Sequence, residues 1–235
     1  MTEARRKESP SAAGRLRKAI KGAFPRAKWS EPGRAYGLLT HDMILRSEPG
    51  SSGPWPDEAG GGTLFIDLET LGFIGRPLFL IGVLRPLSSK KACLIQYLAR
   101  DYAEEESILR AFRHHHKSHK IWITFNGKAF DAPFLMERFK YHRLHPLAPG
   151  YHLDLLHAAR REWRDVLPDC RLKTLESHVC GTWRGEDLDG GKVPEAYHDF
   201  VRTGDPTDVV RVLQHNRHDL LTLGKLYRIL KPACE

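Results

Sequence analysis

From position 63 onward the apolar residues fall into short runs and helical stripes that predict alternating strands and helices. Residues 64–67 read as a buried strand, and 78–84 and 92–98 follow at the spacing of hairpin partners. Residues 103–116 place Ile108, Leu109 and Phe112 on one stripe, the period of a helix. Residues 121–125 predict a further strand, and 132–141, 153–163 and 172–179 predict helices. The last element has the sharpest start: Asp205 as N-cap, Pro206 at the first helical position, then apolar positions running to about Leu230. Three strands, a helix, a strand and further helices define the α/β class, with a mixed sheet flanked by helices.

Upstream of position 63 the pattern changes. Residues 1–34 carry ten Lys or Arg against three Glu, which accounts for nearly all of the net charge of +8. Residues 49–62 are rich in Gly, Pro and Ser, the composition of a linker. The expected organisation is therefore a flexible basic arm and linker over residues 1–62, followed by one domain over 63–235. Leu16, Ala19, Ile20, Ala23 and Phe24 give the arm a short amphipathic helical stripe. Such an arm can attract nucleic-acid phosphates through counterion release, or serve as a solvated tail.

The length of 235 residues suits one domain, which can bury a core without disulfide or metal staples. Its four cysteines form no CxxC pair, so reduced thiols in a cytoplasmic protein are expected and an iron–sulfur centre is not. The longest apolar stretch, 78–84, contains Gly82 and is far short of the ~20 residues a membrane span needs. The basic N-terminus lacks the apolar segment of a secretory signal. No membrane partner is expected.

Three groups carry chemistry. Asp67 and Glu69 form a D-x-E pair on the first strand, where alternate side chains share a face. In the run from Ile123 to Asp131, a strand enters a tight turn at Asn126-Gly127 and Asp131 opens a helix. On the last helix His215 and Asp219 stand four apart, on one face. Each group has an ordinary reading: solvent-facing acids at a strand end, a helix cap, a surface ion pair. Together they place four acids and a histidine on a strand, a turn and a late helix, a layout that suits two divalent cations. Hard oxygen donors favour Mg²⁺ or Mn²⁺.

With Phe65-Ile66-Asp67-Leu68-Glu69-Thr70, the block from Phe125 to Leu135, and His215-Asn216-Arg217-His218-Asp219, the chain resembles the DEDD 3′–5′ exonuclease superfamily of the ribonuclease-H-like fold. The second block is similar to the proofreading domains of family B DNA polymerases. His152-Leu153-Asp154-Leu155-Leu156-His157, Cys170-Arg171-Leu172-Lys173-Thr174-Leu175-Glu176 and the closing Asp219-Leu220-Leu221 resemble, more narrowly, the bacterial YprB-type ribonuclease-H-like proteins. The resemblance runs from about Thr63 to Leu230. It implies Asp67, Glu69, Asp131 and Asp219 as metal ligands. The third motif departs from the superfamily's: His215 occupies a position that holds tyrosine there, and by role it would orient or deprotonate the attacking water.

Asn126, Lys128, Arg171 and Lys173 are candidates for substrate contacts, with a solvent-facing turn and a helix's polar face as the alternatives. Asp154, at the end of an expected last strand, reads as a helix cap or as a support behind the ligands rather than as a ligand itself. His114, His115, His116 and His119 lie at a predicted helix C-terminus, where cations suit the dipole. Trp163 and Trp183 read as core residues, with base stacking as the other use. The expected function is a metal-dependent nuclease acting on DNA or RNA, a 3′–5′ exonuclease on single-stranded ends. A structure-specific endonuclease and an inactive nucleic-acid-binding module are the alternatives.

Overall fold

Alternate residues of one strand, β3 (Thr63–Thr70), face two different cores. Leu64, Ile66 and Leu68 enter one apolar cluster, while Phe65 enters a second on the opposite face, which Asp67 and Glu69 share. The computed structural model describes residues 11–44, 62–88, 91–185 and 187–230. Around β3 lie β1 (Lys28–Ser30), β2 (Gly37–Ile44), β4 (Leu78–Ser88), β5 (Lys91–Leu98), β6 (Ile121–Thr124) and β7 (Tyr151–Asp154). They form one sheet in the order β1-β2-β5-β4-β3-β6-β7. Strand β3 is the pivot, antiparallel to β4 and parallel to β6.

The helices are α1 (Ala12–Ala23), α2 (Glu105–His116), α3 (Asp131–Tyr141), α4 (Leu155–Trp163), α5 (Leu172–His178), α6 (Val193–Thr203) and α7 (Thr207–Leu230). Helix α7 links the two cores. Val209, Val212 and Leu213 belong to the first cluster, and Leu220, Leu223 and Leu226 to the second. The hand-over falls on the turns that carry His215, Asn216 and Asp219. Asp205 caps this helix as expected, accepting from the Thr207 amide at 3.0 Å.

The flexible arm expected over residues 1–62 is corrected for residues 11–44, which are part of the domain. Leu16 and Ile20 of α1 are 1% exposed in the first core; burying two such side chains contributes roughly 1.5–3 kcal/mol each. The Arg15 Nε donates to the Gly204 carbonyl at 3.1 Å. Strand β2 pairs with β5 from Gly37↔Leu98 to Ile44↔Lys91. The charges decorate the outward side of elements whose apolar side is buried. Residues 1–10 and most of the expected linker lie outside the described residues.

Other expectations also shift. The helix expected over 153–163 begins at Leu155, because pairing with β6 draws Tyr151–Asp154 into the sheet. Helix α6, not predicted above, buries Val193, Ala196, Tyr197 and Phe200 at helical spacing. His116 is no helix-end cation: it is fully buried, 2.9 Å from the Tyr97 hydroxyl, and burial pushes its pKa down to about 3.

Candidate active site

The D-x-E pair of β3 faces α7. Asp67 stands opposite Gly82 of β4, which stands opposite Gln96 of β5, so these three form a row across the sheet. Asn216 of α7 lies over that row. Its Nδ2 donates to Asp67 Oδ2 at 2.7 Å, and its Oδ1 accepts from Gln96 Nε2 at 2.8 Å. A Cβ on Gly82 would overlap the Asn216 amide. The glycine is therefore required by the close approach of the helix, and this fixes one oxygen of Asp67.

At the end of β6 the chain turns through Asn126, at φ 63°, and Gly127, where a Cβ would collide with the Thr124 side chain. Asp154 holds this turn: its carboxylate accepts from the Asn126 amide at 2.7 Å and the Lys128 amide at 3.0 Å. It also caps α4 through the Leu156 amide at 3.1 Å. Asp131 emerges as the first residue of α3. The cap position belongs to Phe130, so the ordinary reading of Asp131 as a capping residue does not hold. Burial raises the Asp131 pKa to about 7, against the stabilising amides of Asp131 and Leu68.

Helix α7 supplies His215 and Asp219, which meet at 3.3 Å through Nε2 and Oδ2. Two further residues, absent from the sequence-based candidates, complete this corner. Asp187 lies 3.0 Å from His215 Nδ1, and the buried guanidinium of Arg184 bridges Glu176, Asp187 and Asp219. Burial acts to raise Asp187, but His215 and Arg184 outweigh it and hold the carboxyl below its ordinary range. Arg184 and Asp187 sit in a Gly- and Asp-rich stretch without apolar periodicity, so no pattern marks them.

The acids from the three groups act on one another. Asp67 is raised well above the usual carboxylate range by burial, then by Asp219, Glu69 and Asp131. Glu69 is raised by burial, then by Asp219, Asp131 and Asp187. Like charges gathered in a buried place cost free energy unless a cation or protons neutralise them. Among the described residues no group of three or more His, Cys, Asp or Glu is arranged to hold a metal ion as it stands. Asp219 is engaged by Arg184 and His215.

The candidates for substrate contacts are less gathered. Asn126 and Lys128 are exposed on the turn, and Arg171 and Lys173 are exposed at the start of α5. Lys173 lines a cavity of about 340 Å³ with Glu176, Trp183 and Arg184. Trp163 packs on the second core as expected, but the core reading of Trp183 is corrected: it is 85% exposed.

A central strand with antiparallel neighbours on one side and parallel ones on the other, bearing acids that meet others from a turn and a late helix, defines a ribonuclease-H-like protein. The chain belongs to the RNase_H superfamily, whose family model matches residues 64–231. It is 33% identical over 168 residues to the uncharacterized protein YprB of Bacillus subtilis (strain 168), a match covering 69% of this chain and 40% of that protein. Among solved structures it is similar to the family B DNA polymerase of the hyperthermophilic archaeon Pyrobaculum calidifontis, with a TM-score of 0.57 and 16% identity. That likeness covers 72% of this chain and 24% of the polymerase, and it concerns the fold. The family supports a nucleic-acid hydrolase, and RNase H superfamily nucleases generally use divalent metal ions. No helix among the described residues is long and apolar enough to cross a membrane.

Proposed function

We propose that this chain is a metal-dependent nuclease that releases nucleotides from the 3′ end of single-stranded DNA or RNA. The observation that carries this reading is the gathering of acids from β3, α3 and α7 in one buried place: Asp67, Glu69 and Asp131 are held above the usual carboxylate range by burial first and then by neighbouring carboxylates, Asp219 among them. The donor set fits Mg²⁺ or Mn²⁺: hard carboxylate oxygens on a strand and two helices, whose burial and closeness to one another a divalent cation would offset. These four residues would hold two cations, which when bound supply water activation and stabilisation of the leaving oxygen.

The chain's own residues divide the remaining work. Asn216 orients Asp67, and the Asp154 clamp sets the turn that delivers Asp131. Asp187 accepts from Nδ1 of His215, leaving Nε2 on the Asp219 side to take a proton from the attacking water. Arg184 balances the charge of Asp219. Lys128 and Asn126 on the exposed turn, and Arg171 and Lys173 at the start of α5, would meet backbone phosphates in this reading.

The test uses single-stranded DNA and RNA oligonucleotides labelled at the 5′ end, incubated with Mg²⁺ or Mn²⁺, with Asp131→Ala beside the wild type. A metal-dependent ladder receding from the 3′ end and absent from the variant is expected. Internal cuts would replace this reading with an endonuclease. No cleavage, with salt-sensitive binding by both proteins, would replace it with a nucleic-acid-binding module.

A further inference from the structure

The cavity of about 340 Å³ beside the acids is lined in part by Lys173, Glu176, Thr182, Trp183 and Arg184. It shares a wall with the candidate active site, since Arg184 and Glu176 belong to the ion-pair network that holds Asp219. Its size is near the lower end for ligand pockets, suited to one flat ring system. A lone exposed apolar residue is ordinary on a protein surface, but Trp183 is presented differently. The indole is 85% exposed while both neighbours are anchored. The Thr182 amide donates to the Glu176 carbonyl at 3.1 Å, its hydroxyl accepts from Lys225 at 2.8 Å, and Arg184 is buried among three carboxylates. Contacts on either side thus position a large flat side chain, largely exposed, on the lining of the cavity. Lys173, exposed on the same cavity, has no ion-pair partner among the described residues.

We propose that Trp183 and Lys173 form a base-stacking subsite for single-stranded nucleic acid: one base lies against the indole, and a neighbouring phosphate pairs with the Lys173 ammonium. The subsite rests on the nuclease reading and names how that site grips its substrate. An indole face accepts any base, so the subsite gives grip without sequence preference. Stacking needs an unpaired base, so it favours single strands and ends over duplex. The contacts of Thr182 and Arg184 tie down the chain on both sides of Trp183, which lowers the ordering cost of binding.

The test measures binding of fluorescent single-stranded DNA and RNA oligonucleotides in EDTA, so that binding is read without cleavage. Trp183→Ala is expected to weaken binding by about 5- to 150-fold, the range for losing one base stack, and Trp183→Phe to retain most of it. On an oligonucleotide of abasic sugar-phosphate the Trp183→Ala and wild-type proteins are expected to bind alike. Lys173→Ala is expected to lower the slope of log affinity against log salt by about 0.7, one phosphate contact on a single strand. Thermal melting and Mn²⁺ titration of each variant, expected to match wild type, exclude a folding defect. Wild-type affinity in Trp183→Ala, with 3′-end cleavage intact in the wild type, would overturn the subsite alone. A wild-type protein that neither binds nor cleaves would overturn the nuclease reading and the subsite together.

Discussion

Asn216 on α7 holds Asp67 on β3 through a 2.7 Å hydrogen bond, and the helix comes that near only because Gly82 separates Asp67 from Gln96 in the sheet. The same amide accepts from Gln96, so its orientation is fixed at both ends. A core contact and the placement of a candidate ligand are one structural feature.

Gly82→Ala puts a methyl group where the Asn216 amide sits. The expected result is a loss of about 1–3 kcal/mol from overpacking, and a fall in metal-dependent cleavage on the order of 10-fold or more as Asp67 loses its orientation. Urea unfolding and the oligonucleotide assay check both. Normal cleavage in a destabilised variant would show that Asn216 packs the helix without serving the site.

The Arg184 side chain is 3% exposed and faces Glu176, Asp187 and Asp219. Arg184→Met leaves three carboxylates without their cation and is expected to cost about 3–5 kcal/mol in denaturant unfolding. Mn²⁺ is expected to restore more stability to this variant than to wild type, because a divalent ion takes over the charge the guanidinium supplied. Equal Mn²⁺ shifts in the two proteins would mean that arginine and metal do not share Asp219.

Asp187→Asn keeps the shape beside His215 but removes the carboxylate that accepts from Nδ1. Cleavage is expected to fall on the order of 100-fold, as for loss of a positioned general base, with a smaller stability loss than in Arg184→Met. The pH–rate profile is the discriminating readout: its acidic limb, where a general base becomes protonated, is expected to move when the partner of His215 changes, and an unmoved limb would assign proton transfer to another group.

Asp131 has its pKa raised from the ordinary 3.8 to about 7, chiefly by burial. Between those values the folded protein holds a proton that the unfolded chain has released. Stability from this group therefore grows as pH falls from about 7 toward 4 and is lost above 7. In EDTA at pH 8, Asp131→Asn is expected to melt above wild type, by about 2–4 °C for each kcal/mol relieved. The gap should close by pH 5. Melting curves at the two pH values decide it, and a gap independent of pH would show that Asp131 is not the titrating group.

Local pattern was enough for the strand that carries Asp67 and Glu69, since period-two alternation puts both on one face whatever surrounds them. Helical spacing likewise joined His215 to Asp219, and Leu16 to Ile20. The turn at Asn126-Gly127 could be read from residue types that tolerate its backbone. What pattern could not supply was the partner of each face. The basic residues of the N-terminal segment suggested an arm, yet its apolar stripe found a groove and β2 found the edge of β5, contacts made across long stretches of chain. Arg184, Asp187 and the exposed Trp183 lie in a stretch with no period at all. Their roles depend on where the chain passes after α5, which tertiary packing alone decides. Sequence determined which side chains share an element and a face. Only the folded sheet, with α7 crossing it, decided that a glycine, an asparagine and an arginine would set the positions of the acids, because those contacts join residues far apart in the chain.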